Sequence, residues 1–313
     1  MRYSSLGSLD EKFRLTANNG EYSFRKISLA VPGEEISVDG HFCTPAGRSK
    51  YYYAVEYPKH RIVIHFTAGN IRSDMSALTR NEYHVSVAYV IARDGSIYQL
   101  FPSKYWSGHL GKGLGNMGTG NVEDKVTIGI ELSNYGYLTE KEGNLETYYS
   151  RLKDSNGKPG PVDVYCSLAE LAAYTKIKDP FRGQLYFATF SPAQYNSIII
   201  LLRYLTAVHK IPRQFLPEEK RYQTTQDILN FKGIVSHINY RVDGKWDIGP
   251  AFDWNTVIQG VQAGKYIPVS DRSLSPDLDE RPPITSEQEL EPILPQPEDP
   301  SRQDESYEEP TLS

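Results

Sequence analysis

The sequence predicts an α/β chain, and three stretches carry that prediction. Arg61 to Phe66 reads as a short buried strand, because the β-branched run Ile62-Val63-Ile64 ends at a small, turn-prone Thr67-Ala68-Gly69. Thr127 to Leu132 alternates with period two, placing Thr127, Gly129 and Glu131 on one face and Ile128, Ile130 and Leu132 on the other. Ser191-Pro192 opens a helix that runs to about His209, with Ser as cap and Pro in the first turn. Its Ile198, Leu201, Leu202 and Leu205 share one face that should pack on the sheet.

The remaining elements follow in chain order. Residues 1–59 predict a small β-rich extension: Tyr22 to Val31 alternates like a strand, and Val31-Pro32-Gly33 and Asp39-Gly40 are turn signals. That extension is either a lid or brace on the main domain or a separate binding module. Asp74 to Arg80 predicts a short helix capped by Ser73 or Asp74. Val85 to Leu100 reads as two strands joined at Asp94-Gly95, the strongest short hairpin signal in the chain. Residues 135–190 form a long insertion with a turn at Asp154 to Pro161, read as a groove wall or hairpin that contacts substrate, or as a surface loop. Two shorter helices are expected over Pro217 to Gln223 and Thr225 to Asn230. Together these readings divide the chain into an extension over 1–59, a main domain over 60–268 and a tail over 269–313.

Composition narrows the function classes. At 313 residues, with 39% hydrophobic and 12% aromatic residues, the chain has ample length for a core. A mean hydropathy of -0.50 fits a chain that is packed only in part. The net charge of -5 conceals an asymmetry, since 271–313 hold 13 Asp/Glu against 3 Arg and the rest is mildly basic. Eight prolines lie between Pro276 and Pro310, so the tail is expected to be disordered, as a solubilising segment or a docking tail for delivery or secretion machinery. No cluster of Lys and Arg interleaved with aromatics points to nucleic acid, and no apolar run predicts a membrane span. Met1 to Leu15 shows no secretory signal pattern, which predicts synthesis in a cytosol. Cys43 and Cys166 lack paired spacing and read as free thiols.

The chemistry converges on three residues. His65 stands at the end of a buried strand, where a rigid sheet hands over to loops. His237 and Asp247 lie ten residues apart across a loop that turns at Asp243-Gly244, so both can point at one spot. Two imidazoles and one carboxylate suit a single catalytic Zn2+, because the fourth position is left for water. A structural site would want a fourth protein ligand, usually a thiolate.

These residues, with the flanking His65-Phe-Thr-Ala-Gly69, Gly129-Ile-Glu131-Leu132 and Gly249-Pro-Ala-Phe-Asp-Trp254 segments, resemble the zinc-dependent N-acetylmuramoyl-L-alanine amidases. That family shares its fold with the peptidoglycan recognition proteins, and the resemblance spans roughly His60 to Ile267. It implies a mixed central β-sheet flanked by α-helices, one zinc ion on His65, His237 and Asp247, and peptidoglycan or its muropeptides as substrate. It implies Glu131 as the catalytic carboxylate, although a surface carboxylate on a half-buried strand has the same pattern. Lys245 matches the residue that supplies positive charge to the oxyanion; a solvated loop lysine is the alternative. The family hairpin is followed by a Trp and a His-Ala-Gly, which makes Trp106 and His109 candidate substrate-binding residues, although this chain reads Ser107-Gly-His-Leu-Gly111. A catalytic tyrosine that some relatives carry is replaced here by Val87.

The implied reaction is hydrolysis of the amide between N-acetylmuramic acid and L-alanine, by a phage lysin or an injected or secreted antibacterial toxin acting on the cell wall after release, with a cytosolic recycling amidase the less natural fit to the long insertion and acidic tail. The competing readings are a peptidoglycan-binding module of the same fold and a metal hydrolase of another amide.

Overall fold

The computed structural model describes residues 1–16, 20–116, 120–153, 157–241 and 245–270. The tail from Asp271, residues 154–156 of the insertion turn, and the Asp243-Gly244 turn lie outside the described residues.

In chain order the elements are α1 (Leu6–Thr16), β1 (Tyr22–Ala30), β2 (Ser37–Pro45), β3 (Arg61–Phe66), α2 (Ile71–Leu78), β4 (Tyr89–Ile91), β5 (Ile97–Gln99), α3 (Val122–Val126) and β6 (Thr127–Leu132). The insertion follows with β7 (Tyr137–Lys141), β8 (Asn144–Glu146), β9 (Val164–Ser167), β10 (Tyr174–Phe181) and β11 (Gln184–Ala188). The chain then runs through α4 (Pro192–His209), α5 (Glu218–Arg221), β12 (Gly233–Ser236) and α6 (Trp254–Gln262).

A seven-stranded mixed sheet in the order β1-β2-β5-β4-β6-β3-β12 forms the centre. Strands β4, β6, β3 and β12 run parallel to one another. Strand β3 sits between two of them, and Ile62, Val63 and Ile64 are fully buried. A strand covered on both faces needs an unbroken apolar run, and this is why these residues do not alternate. The β1–β2 hairpin continues the same sheet through parallel pairing of β2 with β5, so the β-rich N-terminal extension is part of the central layer.

Helix α4 supplies much of the covering layer. Ser191 accepts from the Gln194 N–H while the Gln194 side chain accepts from the Ser191 N–H, a reciprocal cap that satisfies two otherwise open helix donors. Ile198, Ile199, Leu201, Leu202 and Leu205 are buried from solvent, each worth about 1.5–3 kcal/mol of hydrophobic stabilisation. Arg203, buried on the same helix, donates to the carbonyls of Gly260, Val261 and Ala263 at the end of α6 and pairs with Glu34. Glu34 lies in the β1–β2 turn, so one guanidinium ties the extension to both helices.

Helix α2 differs from its sequence-based expectation. It begins at Ile71 and is capped by Asn70, whose side chain accepts from the Ser73 N–H while Ser73 Oγ accepts from the Asn70 N–H. Asp74 is inside the helix, buried, and accepts from Ser133 Oγ at 2.6 Å. The capping side chain lies four residues earlier than an Asp74 cap would place it.

The insertion folds into a five-stranded antiparallel sheet in the order β10-β11-β7-β8-β9. One apolar group of this sheet, with Leu138, Leu145 and Tyr165, packs around Leu6 near the N-terminus. Another, with Tyr137, Ile177, Phe181 and Phe187, packs against Ile238, Trp246 and Ala251. Those last three flank His237 and Asp247, so the insertion braces the loop on which both candidate ligands lie.

Candidate metal centre

The parallel core strands deliver the site. His65 is the fifth residue of β3, His237 follows directly on the end of β12, and Asp247 comes from the loop before α6. Because β3 and β12 are paired in register, with Ser236 opposite Ile64, the two histidines emerge together at the C-terminal end of the sheet. Open sheets leave room for ligands there.

His65 Nδ1 stands 2.9 Å from His237 Nδ1 and 3.1 Å from Asp247 Oδ2, and His237 Nδ1 stands 3.0 Å from Asp247 Oδ2. All three residues are buried, and among the described residues they are a group whose ligand atoms converge closely enough to hold a metal ion. Donors held by one tetrahedral zinc at its usual bond lengths are about 3.3 Å apart, so a small widening of this triangle admits the ion. The donor set of two imidazole nitrogens and one carboxylate oxygen also suits zinc.

Electrostatics keep His237 and Asp247 in ligating form. Burial raises the Asp247 carboxyl, but His237, His65 and Lys245 outweigh it and hold it far below the ordinary carboxylate range. Burial pushes the His237 imidazole down to about 4, with Asp247 opposing. At neutral pH Asp247 is therefore a carboxylate and His237 a neutral imidazole with one nitrogen lone pair free, as metal ligation requires.

Of the other residues singled out in the sequence, His109 contacts this triangle directly and Glu131 pairs with one of its members. Glu131 is paired with His65 across β3 and β6. Lys245 is two residues from Asp247, contributes to the local field at His237 and Asp247, and accepts a hydrogen bond from Arg182 at its carbonyl. His109 lies behind His65, with Nδ1 at 3.0 Å from His65 Nε2 and Nε2 at 2.9 Å from Thr127 Oγ1. Its ring is only 5% exposed. Trp106 is buried in a stack on Tyr53, ring centroids 4.1 Å apart, with Lys125 over its face. Val87 is buried, its Cγ1 close to Gly129. Phe252 and Trp254 are packed edge to face within the core beside Phe190, Tyr195 and Phe215.

Three supporting groups escape sequence reading. The Leu110 carbonyl accepts from His237 Nε2 at 3.2 Å. The Asp124 carboxyl, which excludes solvent completely, accepts from the His109 and Leu110 backbone N–H groups. Thr127 Oγ1 meets the His109 ring. A carbonyl carries no residue signature, and Glu123-Asp124-Lys125 looks like an ordinary solvated run. Only the face shared by Thr127, Gly129 and Glu131 gave a hint.

Fold and site together define a mixed-sheet α/β protein with a three-residue donor set suited to a metal ion. The family model described as N-acetylmuramoyl-L-alanine amidase matches residues 56–250. The chain belongs to that family. No curated protein matches. Similar solved structures include the N-acetylmuramyl-L-alanine amidase AmiD from E. coli, in complex with anhydro-N-acetylmuramic acid-L-Ala-D-gamma-Glu-L-Lys. It is 22% identical with a TM-score of 0.40, over 70% of this chain and 62% of that one. A selenomethionine derivative of AmpD is 17% identical with a TM-score of 0.38, over 67% of this chain and 89% of that one. AmpDh3 from Pseudomonas aeruginosa is 16% identical with a TM-score of 0.35, over 66% of this chain and 61% of that one. The match thus covers less than two thirds of the AmiD and AmpDh3 chains.

Proposed function

We propose that the protein is a zinc-dependent N-acetylmuramoyl-L-alanine amidase that cleaves peptidoglycan, or muropeptides derived from it, at the amide joining N-acetylmuramic acid to L-alanine. The observation that carries this reading is the convergence of His65 Nδ1, His237 Nδ1 and Asp247 Oδ2 within 3.1 Å of one another, in a chain of this family. These three residues would hold one Zn2+. When bound, the ion polarises the scissile carbonyl and makes water acidic enough to attack at neutral pH.

The protein's own groups do the rest. Glu131 leaves the same sheet face as His65 and takes the proton from the attacking water, then returns it to the leaving amine of L-alanine. Lys245 directs positive charge toward the oxygen that becomes anionic as the tetrahedral carbon forms. Arg182 donates to the Lys245 carbonyl, which holds the backbone from which that charge extends. Because the His109 and Trp106 rings are covered, we assign both to support of the site rather than to substrate contact.

Residues 60–268 form the catalytic unit in this reading, with 1–59 as a brace joined through Glu34 and 269–313 as an appended tail. No helix among the described residues is long and apolar enough to cross a membrane. We place the action at the cell wall, in a lytic role as a phage lysin or an injected antibacterial toxin, and recovery from purified injection particles or from phage lysates distinguishes the two.

The test is hydrolysis of a synthetic N-acetylmuramoyl-L-alanyl peptide by chelated protein before and after zinc is restored. Zinc-dependent release of the peptide with a free L-alanine amine is expected. Zinc-loaded protein that binds the compound without cleaving it would indicate a binding module, and cleavage only of unrelated amides would overturn the substrate.

A further inference from the structure

We propose that the dipeptide His109-Leu110 is the positioning element for both histidine ligands, orienting His65 through a side chain and His237 through a main-chain carbonyl. The proposal rests on the reading that His65 and His237 hold the metal.

A directed chain of hydrogen bonds fixes the first ligand. The Glu123 carbonyl can only accept, so Thr127 Oγ1, 2.7 Å away, donates its proton there. The Thr127 oxygen then accepts from His109 Nε2–H at 2.9 Å. A neutral imidazole protonated at Nε2 has its lone pair at Nδ1, and His109 Nδ1 accepts from His65 Nε2–H at 3.0 Å. The lone pair of His65 is thereby left at Nδ1, the nitrogen that faces Asp247. For the second ligand, His237 Nε2–H donates to the Leu110 carbonyl, which leaves its lone pair at Nδ1 as well. Three acceptor atoms thus face one another, an arrangement that a cation satisfies.

The dipeptide is itself fixed from several directions. Both of its N–H groups donate to Asp124 Oδ1, at 2.9 and 3.0 Å, and Asn116 Nδ2 donates to the other oxygen at 2.6 Å. The Leu110 side chain is buried among Val63, Val235 and Tyr240, which ties its carbonyl to β3 and β12. The His109 ring lies over Gly129. A Cβ there would stand 3.1 Å from two ring atoms of His109 and 2.7 Å from Val87 Cγ1, so the strand lacks a side chain where the imidazole passes.

The experiment compares His109→Phe, which removes the acceptor but keeps a ring, with His109→Asn, whose Oδ1 can take the place of Nδ1, and with Thr127→Val. Zinc dissociation constants come from competition with a chelator of known affinity, and the imidazole N–H proton signals of the zinc-loaded proteins are recorded by NMR. The zinc affinity of His109→Phe should fall about 10- to 100-fold, while that of His109→Asn stays within about threefold of wild type. The protected His65 Nε2–H signal should vanish in His109→Phe while that of His237 persists, and Thr127→Val should fall between. Equal zinc affinity and an unchanged His65 signal in His109→Phe would overturn the proposal while leaving the metal reading intact. A wild type that binds no zinc would remove the metal reading and the proposal with it.

Discussion

Glu131 and His65 stand directly opposite one another on the paired, parallel strands β6 and β3, so their side chains leave the same face of the sheet. On the proposed reading the Glu131 carboxylate serves proton transfer beside the zinc without being one of its ligands. Glu131→Gln should therefore lower kcat by about 10²- to 10⁴-fold, the usual contribution of a general base. Zinc content should stay at one ion per chain. Steady-state kinetics with metal analysis of the same sample check both, and loss of zinc in Glu131→Gln would recast the residue as a ligand.

Metal binding should stabilise the fold, because the three donors come from β3, the end of β12 and the loop before α6 and meet only in the folded state. Zinc at 100 times its dissociation constant would add about 2.7 kcal/mol. Thermal melts of chelated and reloaded protein should show the rise in Tm. His237→Ala and Asp247→Ala should abolish that rise; a rise of equal size in His237→Ala would place the zinc elsewhere.

Gly129 lies on β6 where the His109 ring passes over the strand. The added methyl of Gly129→Ala meets Val87 Cγ1 at 2.7 Å, which is closer than packed carbons tolerate. Overpacking of this kind costs about 1–3 kcal/mol. The urea midpoint should drop accordingly, and zinc affinity should drop with it as the His109 ring is displaced. The double variant Gly129→Ala, Val87→Ala should recover part of the midpoint.

Asp74 gives a pH dependence of known sign. Burial raises its carboxyl to about 7, with Ser133 and Thr67 opposing. Between about pH 4 and pH 7 the folded state keeps a proton that the unfolded chain has released. The Asp74 contribution to stability is therefore present in full below about pH 4 and declines as pH rises to 7. Asp74→Asn should lose that decline, so its stability relative to wild type should increase across the same window. Urea melts at pH 5 and pH 8 measure the difference, and a relative stability independent of pH would contradict it.

Much of the fold was legible in the sequence where one residue pattern has one physical meaning. The β-branched run of β3, the Asp94-Gly95 turn and the Ser191-Pro192 helix start are local signals, and each element formed where its signal lies. The start of α2 was displaced because Asn70, Ser73 and Asp74 are all capable caps, and the choice among them depends on Asp74 being drawn inward to Ser133. The insertion read as a groove wall, hairpin or loop; its antiparallel pairs were in reach of that reading, but not the five-stranded order, since its strands are short and their pairing is set by contacts far apart in sequence, such as Tyr186 with Leu138. At the site, His65, His237 and Asp247 were recognisable as donor types at strand and loop ends. Their supports were not, because a Leu110 carbonyl and a buried Asp124 acquire meaning only when the chain brings them to an imidazole or a backbone N–H.

The proposed activity is defined by the bond that is cut. The most direct measurement is digestion of purified sacculi by zinc-loaded wild type and Glu131→Gln, with mass spectrometry of the soluble products. Stem peptides with a free N-terminal L-alanine are expected from wild type, with intact glycan strands left behind and a small fraction of that yield from Glu131→Gln. Products still carrying N-acetylmuramic acid on the L-alanine, or peptides cut only within the stem, would contradict it.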